Sequence, residues 1–284
     1  MAFPPRLLLI GAQKAGTTTL ASLLARHPDI ALGKEKEPDF YARNWHRGPD
    51  WYRANYPEPD IPWLIDASTS YTAGFHDPDT GAPMPIADRI AQTVSDPRFL
   101  FVLRDPVDRA WSAYWHDVRY GGETRRPEEV LTPDSLYIRQ SCYADRLTDF
   151  IDHFSIHQIL TLHFEEVTGN QQKVMDRVTT FLDIPPLTLE KQPARKNTGY
   201  QFSPVASGMR RLFPNDRAFS SFLDFIKSAT PAFLRPWLKK LGTRKIPPIP
   251  AALKADLAEI FEPHTRRLEE MMDMSLPHWR RPPC

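Results

Sequence analysis

Cysteine is almost missing from this sequence of 284 residues, which holds only Cys142 and Cys284. Two thiols build no disulfide framework, so nothing here calls for an oxidising compartment, and a reduced, cytoplasmic setting is expected. Charge of one sign is lacking as well. Lys and Arg number 36 against 35 Asp and Glu, a formal net charge of +1, which excludes the uniformly basic surface of a general nucleic-acid binder. Long apolar runs are absent too. The longest near the start, Leu7 to Ile10, falls far short of the roughly 20 residues of a membrane span and is too short for the core of a secretory signal. Glycine is scarce, with 12 residues against 29 prolines. Proline fixes φ and lacks an amide proton, so long irregular connections are expected, and a loop that spends two glycines stands out.

What is there is 41% hydrophobic, 11% aromatic and 25% charged, the make-up of a globular domain with a real core. The run Arg6 to Ile10 ends at Gly11, and Thr17 to Arg26 follows with Leu20, Leu23 and Leu24 at helical spacing. That reads as strand, loop, helix. Phe99 to Leu103 is an apolar run typical of a strand buried on both faces, and Pro106 suits the first turn of a helix after it. A third run, Gln158 to Leu162, precedes Gln171 to Leu182, where Val174, Val178, Phe181 and Leu182 mark one helical face. Strands alternating with helices predict an α/β fold with a parallel sheet. The proline-rich stretch Pro57 to Pro85 reads as loops over that sheet around a short Leu64-Ile65-Asp66 strand, not as a domain linker. Ala251 to Met274 reads as a helix that Pro263 should kink or break. No repeat or low-complexity tract is present, and a single domain over 1–284 is expected.

Gly11-Ala12-Gln13-Lys14-Ala15-Gly16-Thr17-Thr18-Thr19 lies between the first strand and the first helix. Free amides and the helix dipole favour a phosphate there. The glycine spacing is that of a P-loop, but a Walker A loop needs Lys directly after the second glycine. Here Thr17 takes that place and Lys14 lies inside the loop. After the Phe99 to Leu103 strand comes Arg104-Asp105-Pro106, with Ser112 and His116 further along the helix and one turn apart. An Arg fork suits a phosphate because it donates two parallel hydrogen bonds. Alone, either residue reads as a strand cap or a surface serine. Between the two segments, Lys34-Glu35-Lys36-Glu37-Pro38-Asp39-Phe40-Tyr41 reads from composition as a solvated charge run. The histidines show no metal-ligand spacing, and no bound metal is expected.

The two phosphate-type segments, in order and each after a buried strand, resemble the sulfotransferases that use 3′-phosphoadenosine 5′-phosphosulfate (PAPS). Within that family the chain is most similar to the heparan sulfate N- and 3-O-sulfotransferase-like branch, as a bacterial-type soluble member. The resemblance covers nearly the whole chain and implies a P-loop-kinase-like sulfotransferase fold, with a central parallel sheet flanked by helices. It implies that Lys14 stabilises the leaving phosphate and that Ala15, Gly16, Thr17, Thr18 and Thr19 hold the 5′-phosphosulfate. Arg104 and Ser112 would clamp the 3′-phosphate, leaving adenosine 3′,5′-bisphosphate as product without a metal. It further implies that Glu37 is the base, that His116 lies at the transferring group, and that Phe40, Tyr41 and Tyr71 stand on the acceptor side. Tyr143 and a closing loop with Lys196 and Gly199 are nucleotide positions by the same resemblance. Gly48-Pro49-Asp50-Trp51-Tyr52 and the Ser275 to Trp279 ending extend it. One departure is Ala67, where heparan sulfate enzymes carry a second lysine.

The acceptor expected is a hydroxyl, or less readily an amine, of a glycan, glycolipid or natural product. The stretch from Phe213 to Lys245, rich in aromatic and basic residues, reads either as core or as a lid over about 205–250 that meets a lipid-like acceptor or a membrane surface. Residues alone leave two rivals, a P-loop kinase and a nucleotide-binding module without catalysis. The oligomeric state is not legible.

Overall fold

A computed structural model describes residues 3–56, 61–76, 81–120, 122–190, 200–202 and 243–279, with scattered positions between 209 and 230. The chain runs β1 (Leu7–Gly11), α1 (Thr17–Leu24), β2 (Ile30–Leu32), α2 (Gly48–Arg53), β3 (Trp63–Asp66), α3 (Ile86–Thr93), β4 (Arg98–Leu103), α4 (Pro106–Tyr120), α5 (Pro127–Val130), α6 (Leu136–Arg139), α7 (Tyr143–His153), β5 (Ile159–His163), α8 (Phe164–Gly169) and α9 (Gln171–Leu182). A small antiparallel pair follows, β6 (Tyr200–Phe202) with β7 (Thr243–Lys245), and then α10 (Ala251–Met272). The lysine–glycine loop carrying Lys196 and Gly199, and most of the expected lid over 205–250, lie outside the described residues.

The five main strands form one parallel sheet in the order β2-β3-β1-β4-β5. This is the α/β sheet that the alternating pattern predicts. Every residue of β1, and all but the first of β4, is buried, because neighbours flank each strand and helices cover both faces. That is why these strands read as unbroken apolar runs and not as alternating ones. The chain order reverses beside β1, which pairs with β3 on one side and β4 on the other. Loops leaving the carboxyl ends of the strands at such a switch point form a crevice.

Helix α4 starts where its first residues allow. Pro106 occupies the first turn, and Asp105 Oδ1 accepts the amides of Val107 at 2.9 Å and Asp108 at 3.2 Å, an N-cap that fixes the helix directly behind β4. Helix α10 carries the proline at which the sequence predicts a kink or a break. It continues through Pro263 without a break, although an internal proline costs about 3 kcal/mol. Its buried stripe, Leu253, Leu257, Phe261, Thr265 and Leu268, packs on α4 and α7, and that burial offsets the lost hydrogen bond.

Behind β3 sits an aromatic cluster built around one buried carboxylate. Asp66 is fully enclosed and accepts from Tyr52 OH and Tyr71 OH, each at 2.6 Å, and from the Ser68 amide at 3.0 Å. The Phe40 ring stacks on Tyr52 with centroids 4.2 Å apart. Burial pushes the Asp66 carboxyl up to about 6 despite these donors. The folded chain therefore keeps the Asp66 proton up to about pH 6, whereas the unfolded chain releases it near 3.8. The stability so gained is full below the lower value and is lost as pH rises through the higher one, about 3 kcal/mol in all. Urea denaturation should show wild type losing roughly that amount against Asp66→Asn between about pH 4 and pH 6. A pH-independent difference would refute the assignment.

Candidate functional site

The crevice at the carboxyl ends of β1 and β4 gathers Lys14, Arg104, Ser112 and His116, singled out from sequence. Gly11 ends β1 with no room for a side chain, since a Cβ there would strike Thr72 Oγ1 and the Phe101 ring. The loop then turns back on itself, with the Ala15 amide donating to Ala12 O at 3.1 Å. Lys14 takes a left-handed φ of 68° and Gly16 one of 86°. For a lysine that conformation is strained, of order 1 kcal/mol. Gly16 precedes α1 without any side-chain cap, so the first-turn amides of Thr17, Thr18 and Thr19 have no intrahelical acceptors and face an open end. Thr17 is buried, Thr19 half-buried and Thr18 exposed.

Two arginines hold this loop from below. Arg104, just past β4, donates from Nη1 to Lys14 O at 2.7 Å, and its guanidinium lies 4.5 Å over the Phe164 ring. Its Nε is enclosed without a hydrogen-bond partner, a buried donor left for something else to satisfy. The Tyr143 hydroxyl donates to Arg104 O at 2.8 Å. Tyr143 thus braces the strand end from the core, fully buried, and its phenol is pushed up by that burial.

Arg109 is the residue of this crevice that the sequence reading did not single out. It is completely buried, yet it donates from Nε to Ser141 Oγ at 2.6 Å, from Nη2 to Tyr137 O at 2.6 Å and from Nη1 to Gln13 O at 3.5 Å. Burial lowers it to about 10. Its only sequence signal is its place on the helix after Arg104-Asp105-Pro106, whose interior register becomes meaningful once α4 is docked.

The structure brings Lys14 and His116 together. The Lys14 ammonium donates to His116 Nδ1 at 3.2 Å across 102 positions of sequence. Burial is the largest cause lowering Lys14 to about 8, followed by the charges of Arg119 and Arg104. Burial and then the Lys14 charge push His116 down to about 4. The imidazole is therefore neutral at pH 7 and serves as acceptor for a charged lysine. Ser112 is half-buried one turn earlier on α4.

A cavity of about 650 Å³ opens beside this cluster, lined by Gln13 of the loop, Glu37, Thr69, Asp117 of α4, and residues of α5 and α6. The Glu37 carboxylate is held at both oxygens, by Lys36 on one side and by Thr69 Oγ1 at 3.2 Å on the other. Its segment is laced to the chain after β3, with the Ala67 amide donating to Lys36 O at 3.3 Å and the Asp39 amide to Ser68 Oγ at 3.0 Å. The Asp66 hub therefore sets where Glu37 stands. Phe40, Tyr41 and Tyr71 are the residues expected on the acceptor side. They are buried at 4%, 0% and 3% exposure, packed into the aromatic core, and line no part of the cavity. Ala67, the departure from the heparan-type pattern, is fully buried.

Among the described residues one set of metal-ligating types converges, Cys142 and Asp145 at the start of α7 and His264 on α10. Asp145 is taken by Arg267 and His264, and the Cys142 thiol, pushed up to about 12 by burial, donates to Ile138 O. These groups are committed to each other and to the helix contacts.

A loop leading into an uncapped helix start, with clustered cations, at the switch point of a parallel sheet defines an α/β protein of the P-loop-like class. The chain belongs to the sulfotransferase family, whose model matches residues 5–188. Among curated proteins, the mouse (Mus musculus) bifunctional heparan sulfate N-deacetylase/N-sulfotransferase 3 is 27% identical over 304 residues, covering 98% of this chain and 31% of its own length. The human (Homo sapiens) bifunctional heparan sulfate N-deacetylase/N-sulfotransferase 1 is 30% identical over 200 residues, with coverage of 63% and 22%. The chain thus spans a third or less of these relatives. A crystal structure of a sulfotransferase from Alicyclobacillus acidocaldarius has the same fold, with TM-score 0.68 at 23% identity over 98% of this chain and 99% of that one. No described helix is long and apolar enough to cross a membrane.

Two measurements check the site's electrostatics and scaffolding. Removing the charge in Lys14→Met should raise the His116 titration seen by NMR above 4 while leaving it below 6.5, because burial remains. Arg109→Lys keeps the charge but loses the fork that serves three acceptors. It should cost roughly 1–3 kcal/mol in chemical denaturation, and a change under about 0.5 kcal/mol would show the contacts to be idle.

Proposed function

We propose that this chain transfers a sulfuryl group from PAPS to an acceptor hydroxyl. The observation that carries the reading is the meeting of Lys14, His116 and Arg104 at the uncapped start of α1, beside a cavity that holds Glu37. An anionic nucleotide suits this place on three grounds. It would answer the orphan Nε of Arg104, supply the acceptors that the first-turn amides lack, and neutralise the mutual repulsion that lowers Lys14. In this reading Ala15, Gly16, Thr17, Thr18 and Thr19 receive the 5′-phosphosulfate, and Arg104 with Ser112 receives the 3′-phosphate. Tyr143 acts at one remove, by fixing the Arg104 backbone.

In the transfer step the acceptor oxygen forms a bond to sulfur as the bond from sulfur to the bridging phosphate oxygen breaks. The electron pair stays on the departing phosphate, and the acceptor proton passes to Glu37. Lys14 is protonated at pH 7 and stabilises the growing phosphate charge; neutral His116 keeps its ammonium aimed. Lys36 and Thr69 orient the Glu37 carboxylate for its task. The lysine lies inside the loop and not after its second glycine, which argues against phosphoryl transfer from a nucleoside triphosphate.

Adenosine 3′,5′-bisphosphate should raise the melting temperature in the presence of a chelator, while ATP and GTP should not. With PAPS and a panel of hydroxyl acceptors, Glu37→Gln should lower transfer about 10²–10⁴-fold and Lys14→Ala about 10²–10³-fold, with the adenosine bisphosphate shift kept in Glu37→Gln. Stabilisation by ATP and GTP alone would overturn the donor assignment. Binding of the bisphosphate with no turnover on any acceptor would mark a module without catalysis.

A further inference from the structure

One carboxylate of the cavity is held by a device that the transfer step does not use. Asp117, the residue after His116 on α4, lines the cavity together with Gln13, Glu37 and Tyr137 of α6. Its Oδ2 accepts the Tyr137 hydroxyl at 2.9 Å. Tyr137 is fixed at its other end as well. Its carbonyl accepts from Arg109 Nη2 at 2.6 Å and from Ser141 Oγ at 2.9 Å, and its ring meets the Tyr114 ring edge-on with centroids 6.2 Å apart. Gln140, just after α6, donates to Ala73 O at 3.2 Å and so ties the short helix to another part of the cavity lining. Burial and then the bond to Asp117 push the Tyr137 phenol up. It is therefore a donor at pH 7, and its one proton goes to Asp117. Asp117 is half-buried, and among the described residues its Oδ1 has no hydrogen-bond partner. Its charge raises Lys14 and Arg109 against burial and the neighbouring arginines, so it stands near the ammonium of the reacting end.

Resting on the reading of Lys14 and Glu37 as the reacting end, we infer that Asp117 determines acceptor specificity: its open oxygen accepts a hydrogen bond from a second hydroxyl of the acceptor, and Tyr137 is the positioning residue that aims it. The acceptor class is then a polyol, not a lone alcohol or phenol. A carboxylate offers about four lone-pair sites, and Tyr137 occupies one of them. An acceptor without the second hydroxyl strips water from the remaining oxygen and returns no donor, so it is penalised. An ammonium in place of that hydroxyl is disfavoured, because Arg104, Arg109 and Arg119 already share the neighbourhood of Lys14. With Glu37 taking the proton of the first hydroxyl and Asp117 holding the second, the two carboxylates select which oxygen faces sulfur. Tyr137, tied at both ends, keeps Asp117 in one orientation before the acceptor arrives.

Transfer from labelled PAPS to cyclohexanol, cis-cyclohexane-1,2-diol and cis-cyclohexane-1,3-diol compares rings that differ only in the second hydroxyl. At least one diol should exceed cyclohexanol in kcat/KM about tenfold or more, the size of a hydrogen bond to a charged group and well above the statistical advantage of two hydroxyls. Asp117→Ala should bring the ratio down to that statistical advantage. Asp117→Asn, whose amide oxygen still accepts, should keep part of the preference, and Tyr137→Phe should lower it with Asp117 in place. Loss of folded protein scales all three acceptors alike, so the ratio reports recognition and not stability. No diol preference in the wild type, no transfer to either diol, or a ratio indifferent to Asp117→Ala would each overturn the inference, and a ratio unmoved in Tyr137→Phe would remove Tyr137 from it. Adenosine 3′,5′-bisphosphate binding is read separately by thermal shift. A chain that it stabilises but that shows no diol preference keeps the donor assignment and loses the acceptor class. A chain that it does not stabilise loses the donor assignment itself.

Discussion

Positive charge gathered at the carboxyl ends of two strands is the constraint from which the working end of this molecule follows. Lys14, Arg104, Arg109 and Arg119 crowd the carboxyl ends of β1 and β4, and burial together with their repulsion brings the Lys14 ammonium down to about 8. Arg109 is buried with neutral partners only, a serine oxygen and two carbonyls. Keeping such charges out of water is costly. The cost is borne by a sheet whose central strands are buried but for the first residue of β4, and the result is a set of cations fixed in place beside the cavity. Electrostatic preorganisation of this kind needs no rearrangement at the moment of reaction.

Helix α4 is the element through which the parts communicate. Its N-cap at Asp105 ties it to β4, Arg109 on its first turns reaches both the Gln13 carbonyl in the loop and the Tyr137 carbonyl on α6, and His116 meets Lys14. One helix therefore touches the loop, the histidine that aims its lysine, and the rim of the cavity. On the opposite wall the same service comes from a buried carboxylate. Asp66 gathers Tyr52, Tyr71 and Ser68, and the chain beyond it is stitched to the Glu37 segment. The base candidate thus rests on the aromatic core, and the cations rest on α4 and β4.

The scaffold and the cavity wall are set by different parts of the chain. The curated relatives named for heparan sulfate are matched over a third or less of their length. The cavity wall is built from α5, α6 and the Glu37 segment, the stretches where surface loops of a common scaffold change specificity.

Local pattern was enough for much of this. The runs Leu7 to Ile10 and Phe99 to Leu103 are continuous because strands enclosed on both faces have no polar side to display, so the parallel sheet, the loop after β1 and the arginine after β4 were all legible in the residues. Helix α9, Gln171–Leu182, was legible to the residue from its apolar face. Tertiary structure alone decided the rest. Phe40, Tyr41 and Tyr71 resemble acceptor contacts but pack inward, because Asp66 needs donors and the sheet needs cover. Pro263 stays inside a helix because burial along that helix outweighs one missing hydrogen bond. Arg109 and the pairing of Lys14 with His116 depend on groups up to about a hundred positions apart. Sequence spacing carries the period of a helix or strand, but the depression of a lysine's proton affinity depends on burial and on which charges share its neighbourhood, and only the folded chain sets those distances.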